Sequence, residues 1–435
     1  MNQPASVSHN LTSGIAFGLY DLIWSCVLPW LRLNHRLAEG YQQRRLNPLL
    51  PAADIWIQAA SVGESYLALE IIAALRVARP VRILMTANTS QGIDILNKAL
   101  AGRKKSGEAI DVRVGYFPFD KPALMRRAVA AVRPAAMVLL ETEIWPGLLR
   151  ALDRNGCKTV IINGRLTVRS LKRYLLWPSI WSSLRPHRVL AVSTADADRF
   201  KQLFGPTGIE VMPNIKFDSA AAASAAPDNA SAVMSLVPAE SAFVVMASVR
   251  RQEEPMVKQM VIEINRRRPD TVIGLFPRHL HRIQSWQHAL NQTGIPWSLR
   301  SSAGTPAAPG SVIIWDTFGE LMSAFQLCHA AFVGGSLAPL GGQNFLEALR
   351  GGARPVIGPF WENFKWVGPE IIATGLLQVA ADWQEAAALL LADIADPPSR
   401  DEIIAKTLEY LQKRRGGTAR ACQIIASLVD DHAKA

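Results

Sequence analysis

The sequence predicts an α/β protein of two doubly wound domains facing a cleft, with an apolar helix ahead of them. Three observations carry the prediction. Short apolar runs without strict alternation recur along the chain, the pattern of strands buried on both faces of parallel sheets. Helical patterns separate these runs, which is the rhythm of βαβ units. A low-complexity stretch, "SAAAASAAPDNAS" at Ser219–Ser231, divides the runs into two sets and offers nothing large to pack.

The N-terminal stretch Gly14–Leu31 is apolar apart from Asp21 and a few small polar groups, and is just long enough to span a bilayer. No Lys or Arg precedes it, so it lacks the basic start of a signal peptide. Arg32, Arg36, Arg44 and Arg45 follow it, a bias that keeps the downstream chain cytoplasmic. Asp21 and Pro29 interrupt a clean span, which favours a monotopic or weakly spanning anchor.

The first set of strand-like runs is "DIWIQAA", "VRILMTA", "VRVGYFP", "AAMVLLETE", "KTVIIN" and "HRVLAVS". The second set is "AFVVMAS", "TVIGLFPR", "SVIIWDT", "HAAFVGGS" and "RPVIGP". Helical patterns close the chain in "RDEIIAKTLEYLQKRRGG" and "ARACQIIASLVDDH". The expected division is an anchor and basic segment at 1–45, a domain at 46–217, a linker region at 218–231, a domain at 232–410 and a terminal helix at 411–435.

Composition excludes some classes. Half the residues are apolar (49%) and 19% are charged, which is a globular rather than a disordered profile. The net charge of +11 points to anionic partners, but the basic residues are dispersed and carry no aromatic-basic nucleic-acid motif. The densest basic group is Arg165, Arg169, Lys172 and Arg173, which reads equally as a solvated helix face. Four widely spaced cysteines make neither a disulfide framework nor a zinc site. There is no GxGxxG after the first strand, no P-loop and no HExxH.

Ligands of such sheets bind beyond the carboxyl ends of the strands, so residues at those ends are the candidates. Ser61-Val62-Gly63-Glu64 fits a capping box, in which Glu64 reaches back to the Ser61 N–H. It equally fits a carboxylate planted at the cleft, kept ionised by the helix dipole and able to accept a proton. In "ETEIWPG", alternation places Glu141 and Glu143 on one side of the strand end, as an ion-pair site or as further cleft carboxylates. Lys216 precedes the linker and is either solvated or close to the cleft. Arg278 ends a strand and can present its fork to a phosphate or carboxylate. Gly319 and Glu320 enter a helix where free N–H groups are expected. The glycine pairs Gly334-Gly335 and Gly341-Gly342, with Asn344 as N-cap and Glu347 one turn in, suit a phosphate and a ribose.

Together "SVGE", "ETEIWP", "NGRLTVRS", "IKFD", "PRHLHR", "DTFGEL" and "FVGGSLAPLGGQNFLEA" resemble, in order and spacing, the 3-deoxy-D-manno-octulosonic acid (Kdo) transferases. The resemblance covers nearly the whole chain. It implies inverting glycosyltransferases of the GT-B architecture, two Rossmann-like domains with an N-terminal membrane anchor. They move Kdo from CMP-Kdo to a phosphorylated lipid A precursor at the cytoplasmic face of the inner membrane. It implies no metal requirement; no other cofactor, no nucleic acid and no obligate protein partner is expected. By the same resemblance Glu64 is the general base, and Glu141 and Lys216 stabilise the transition state. Pro277, Arg278, Phe318, Gly319, Glu320, Asn344, Phe345, Leu346 and Glu347 match the CMP-binding segments. The chain departs from the family pattern at Gln343, where His is usual, at Arg250-Arg251-Gln252, at Phe318 and at Gly147 and Gly164. Gln343 exchanges hydrogen bonds but does not titrate near neutrality. The rival readings are a GT-B transferase for another nucleotide sugar and a nucleotide-binding protein without turnover.

Overall fold

The computed structural model describes residues 5–101, 109–222, 230–303 and 305–434. The middle of the expected linker region, 223–229, therefore lies outside the described residues. The chain divides into two compact units: Met1–Ser219 with Arg415–Ala435, and Ala220–Arg414. Of the expected terminal helix at 411–435, the part from Arg415 belongs to the first unit.

In the first unit, strands β1 (Ile55–Ala59), β2 (Val81–Ala87), β3 (Ile110–Tyr116), β4 (Ala136–Leu140), β5 (Lys158–Gly164), β6 (Arg188–Ala191) and β7 (Ile209–Val211) form one sheet. Every pairing is parallel and the order is β3-β2-β1-β4-β5-β6-β7. β1 and β4 are fully buried along their length, as apolar runs without alternation require. The order reverses between β1 and β4, which makes that junction the topological switch point. The terminal helix Gly417–Lys434 packs on the helix Val62–Ala74 and places Ile424 and Ile425 in the same core as β1.

In the second unit, β8 (Phe243–Val249), β9 (Val272–Pro277), β10 (Trp297–Leu299), β11 (Val312–Ile314), β12 (Ala330–Val333), β13 (Pro355–Ile357) and β14 (Gln378–Val379) form a parallel sheet. Its order is β10-β11-β9-β8-β12-β13-β14, so its switch point lies between β8 and β12.

The N-terminal helix Ala5–Leu31 is docked on the first unit. Phe17 is buried, and Tyr20, Trp24 and Leu28 pack beside it at helical spacing. Tyr20 donates to Asp120 at 3.0 Å, and Asp21 accepts from the Ala123 N–H at 3.0 Å. Asp120 in turn accepts from the N–H groups of Gly147 (2.8 Å) and Leu148 (2.7 Å). Asp21 and Asp120 thus satisfy free donors at the starts of the helices Pro122–Val132 and Pro146–Arg154. Burial raises the Asp120 carboxyl to about 7 against those N–H bonds. The opposite face of the N-terminal helix exposes Ile15, Leu19, Leu22, Ile23, Val27 and Trp30. Asp21 belongs to the docked face, and Pro29 lies within the last turn of the helix. Arg44, expected in a basic segment beside the membrane, is 3% exposed and bonds the carbonyls of Glu39, Phe117 and Asn88.

Candidate active site

The first unit gathers its candidates at the carboxyl ends of the two strands flanking its switch point. β1 ends at Ala59, and the helix Val62–Ala74 begins with Ser61 as N-cap. Ser61 Oγ accepts from the Glu64 N–H at 3.3 Å and donates to Glu64 Oε1 at 3.0 Å. Glu64 Oε2 accepts from the Ala60 N–H at 2.7 Å, rather than from the Ser61 N–H expected of a capping box. Glu64 is therefore a local cap. It also stands among carboxylates. Burial, then the charge of Glu143, raise Glu64 to about 8; the Ala60 N–H opposes this and Glu141 adds to it. The expectation that the helix dipole keeps Glu64 ionised is corrected: burial and like charge outweigh the dipole.

β4 stops at Leu140, and Glu141 turns the chain with a left-handed φ of 54°. Strand alternation no longer governs the residues beyond Leu140, so Glu141 and Glu143 take different partners. Glu141 Oε1 accepts from Lys216 Nζ at 2.6 Å. Glu143 Oε2 accepts from Trp145 Nε1 at 2.7 Å and from Gln58 Nε2 at 3.4 Å. Burial raises Glu143 above the ordinary carboxylate range, against the donors Trp145, Gln58 and Asn88. Gln58 is held in turn by Thr86, whose hydroxyl donates to it at 2.6 Å and accepts from Trp56 Nε1 at 2.8 Å. Lys216 begins its helix beside Ile215, whose N–H bonds Asn163 Oδ1 at 3.0 Å. Asn163 is itself left-handed, with φ 58°, at the irregular end of β5. Backbone strain therefore falls at both strand ends that present Glu141 and position Lys216.

The second unit places its candidates beyond β9, β11 and β12, along one edge of its sheet. Pro277 closes β9, and the Arg278 N–H bonds Val249 O at 2.8 Å. The Arg278 side chain is exposed, and among the described residues nothing pairs with its guanidinium. His279 and His281 stack beside it with ring centres 5.4 Å apart. Burial, then the charges of Arg250, His281 and Arg278, lower His279. These residues make a concentration of positive charge at the ends of β8 and β9.

The remaining candidates divide into exposed and engaged groups. Phe318 is 80% exposed, and Gly319 turns with φ 92°. Glu320 is tied down: Arg300 grips it with two bonds of 2.9 and 2.7 Å, and Trp315 Nε1 adds one at 2.8 Å. Burial pushes its carboxyl up, but those hydrogen bonds and the Arg300 charge outweigh it and leave it below its ordinary value. Asn344 is exposed; it donates to Glu347 at 2.9 Å and accepts from the Leu346 N–H at 3.2 Å. The helix it precedes covers only Leu346–Arg350, with Phe345 rather than Asn344 at the N-cap. Phe345 and Leu346 have core side chains, Phe345 packing against Trp361 and Phe364. Their side chains are not available to a ligand.

The Gly334-Gly335 turn is already occupied from within. Glu253, fully buried, accepts from the N–H groups of Arg250, Gly335, Ser336 and Leu337. A Cβ on Gly334 would collide with Glu253 Oε1. Glycine there admits an internal carboxylate, not an external phosphate. Sequence reasoning gave Glu253 no role, because "RRQEE" carries no sign that its second-last residue reaches into a loop more than eighty positions away. Asp120 was missed for the same reason. Among the described residues no group of three or more His, Cys, Asp or Glu is arranged to hold a metal ion.

Comparison with known proteins agrees with this architecture. The family model of 3-deoxy-D-manno-octulosonic-acid transferases (kdotransferases) matches residues 32–219. The 3-deoxy-D-manno-octulosonic acid transferase of Bordetella pertussis is 30% identical over 425 residues, covering 93% of this chain and 95% of that protein. That of Haemophilus influenzae is 27% identical over 403 residues, 91% of each. A solved glycosyltransferase from Rickettsia africae shares the fold, with TM-score 0.55 at 9% identity over 87% of this chain and 99% of that one. Two parallel-sheet units of the GT-B architecture, joined to likeness along nearly the full length of a Kdo transferase, make this chain a member of the Kdo transferase family of glycosyltransferases.

Proposed function

We propose that the chain transfers Kdo from CMP-Kdo to a phosphorylated lipid A precursor, with inversion and without a metal, at the cytoplasmic face of the inner membrane. The observation that carries the reading is the group Glu64, Glu141, Glu143 and Lys216 at the switch point of the first sheet. A hydroxyl of the acceptor sugar loses its proton to Glu64 as its oxygen attacks the anomeric carbon. The bond from that carbon to the CMP phosphate breaks on the opposite side, and CMP leaves as an anion. A group raised to about 8 binds its proton firmly enough to take one from an attacking hydroxyl. Lys216 holds Glu141 in place and offsets its charge beside Glu64.

In the second unit, unpaired Arg278 and the positive charge around it offset the phosphate of CMP as it leaves. Phe318 offers an exposed ring, and Asn344 with Glu347 offers polar atoms to the nucleoside. Glu320 acts by holding its loop to Arg300. The apolar outer face of the N-terminal helix, with exposed Leu176 and Trp177, supports attachment to a membrane surface.

The test is incubation of the purified full chain with CMP-Kdo and a lipid A precursor, read by product mass. The reading expects mass gains equal to whole Kdo units and none with UDP-sugars. Transfer from a UDP-sugar with no transfer from CMP-Kdo overturns it.

A further inference from the structure

A second polar feature of the first unit lies beneath its N-terminal helix. The N-terminal helix and the helices Pro122–Val132 and Pro146–Arg154 border a half-open pocket of about 350 Å³. Gly14 and Gly18, one turn apart, open it, and a Cβ on either would meet only open space. Arg126, Arg150 and Arg154 line it. Among the described residues no carboxylate pairs with any of these arginines. Asp21 also lines the pocket, but its oxygens are turned to the Ala123 N–H at 3.0 Å and to Lys121 Nζ at 3.8 Å. The Arg150 guanidinium lies 4.0 Å from the centre of the Phe17 ring, which fixes it at the mouth. Burial, then the charges of Arg154 and Arg126, lower Arg150, so the cations sense one another. Like charges one helical turn apart destabilise a helix unless an anion offsets them.

We propose that this pocket binds the phosphate group of an anionic lipid. The helix that roofs it exposes Ile15, Leu19 and Leu22 next to Gly14 and Gly18, so an apolar surface for lipid chains adjoins the arginine-lined pocket. Guanidinium forks match phosphate oxygens in pairs, and the volume admits a phosphate ester with the group it is attached to. The site is independent of the donor and of turnover.

The test is flotation of the full-length protein with vesicles of phosphatidylcholine containing phosphatidylglycerol, at physiological salt. Three variants are compared: Arg126→Gln/Arg154→Gln, the same with Arg150→Gln, and a charge-matched control, Arg266→Gln/Arg267→Gln/Arg268→Gln, on the second unit. At roughly fivefold per arginine, the double variant loses about 25-fold in affinity and the triple about a hundredfold, while the control changes by less than about threefold. The double variant leaves the Arg150–Phe17 contact intact, so its result stands if the triple misfolds. Equal losses in pocket and control variants, or no loss in the pocket variants, overturn the site. Inorganic phosphate at millimolar concentration separates the sources: it leaves vesicle binding unchanged if the ligand is a lipid. Displacement by phosphate alone overturns the lipid assignment. The assay uses neither CMP-Kdo nor acceptor, so its failure leaves the transferase reading untouched.

Discussion

Lys216 Nζ donates to Glu141 Oε1 at 2.6 Å, and Glu141 makes this contact from a left-handed backbone. The pair joins the end of β4 to the start of the helix Lys216–Ala222 and sits close enough to Glu64 for the Glu141 charge to raise it. A lysine in this position does two things: it stops Glu141 from swinging, and it cancels one of the two negative charges facing the base.

Removing that lysine therefore acts on Glu64. In Lys216→Met, Glu141 is left uncompensated and its charge bears fully on Glu64. The expected outcome is a fall in kcat and an alkaline displacement of the pH–rate midpoint. Steady-state rates measured across pH separate this from simple loss of binding, which moves KM and leaves the midpoint in place.

The two other carboxylates should have the opposite effect on that midpoint. Glu143 ranks ahead of Glu141 among the charges that raise Glu64. Glu143→Gln should thus lower the midpoint more than Glu141→Gln, provided rates are compared at saturating donor. Gln at 143 still meets Trp145 and Gln58, so the fold is retained.

The pH dependence is set by the sign of the Glu64 shift. A base must be deprotonated, so kcat/KM rises with pH and levels off above about 8. The same shift bears on stability. A carboxyl raised from 4.5 to about 8 on folding contributes stability that is complete below 4.5 and is lost as pH rises through about 8. Glu64→Gln carries no such ionisation, so its melting temperature should gain on the wild type at pH 9 relative to pH 6.

Glu253 gives a structural prediction in the second unit. Glu253→Gln sets an amide donor against N–H groups that now point at a carboxylate. Leaving buried donors unsatisfied costs about 1–3 kcal/mol, seen as a lower denaturation midpoint. Hydrogen exchange at Gly335, Ser336 and Leu337 should quicken in this variant. Gly334→Ala should destabilise the same loop, since its Cβ collides with Glu253 Oε1 and meets the Ser248 carbonyl at 3.0 Å.

Much of the fold was legible because long buried strands declare themselves. β1, β4, β8 and β9 are long apolar runs, broken only by Gln58 in β1 and Ser248 in β8, and are legible directly. β7, β10 and β14 were not; each is a two- or three-residue strand at the edge of its sheet, too short to carry a pattern. Candidate positions were legible where a motif sits at a strand end, as with Glu64, Glu141 and Arg278. What those side chains touch was not. Glu320 faces Arg300, and Phe345 faces the core, because partners well beyond the local motif decide it. The ionisation of Glu64 is not legible in the sequence, because the helix dipole is local and visible, whereas burial and Glu143 are supplied by the tertiary fold.

The central claim is that Glu64 takes the acceptor's proton. It is tested most directly by the turnover of Glu64→Gln with CMP-Kdo and lipid acceptor, alongside its CMP affinity. Gln keeps a side chain able to cap the helix, so folding and CMP binding should be unchanged while kcat falls by about 10²–10⁴-fold. A folded Glu64→Gln protein that turns over like the wild type would show that Glu64 only caps its helix, and would contradict the account.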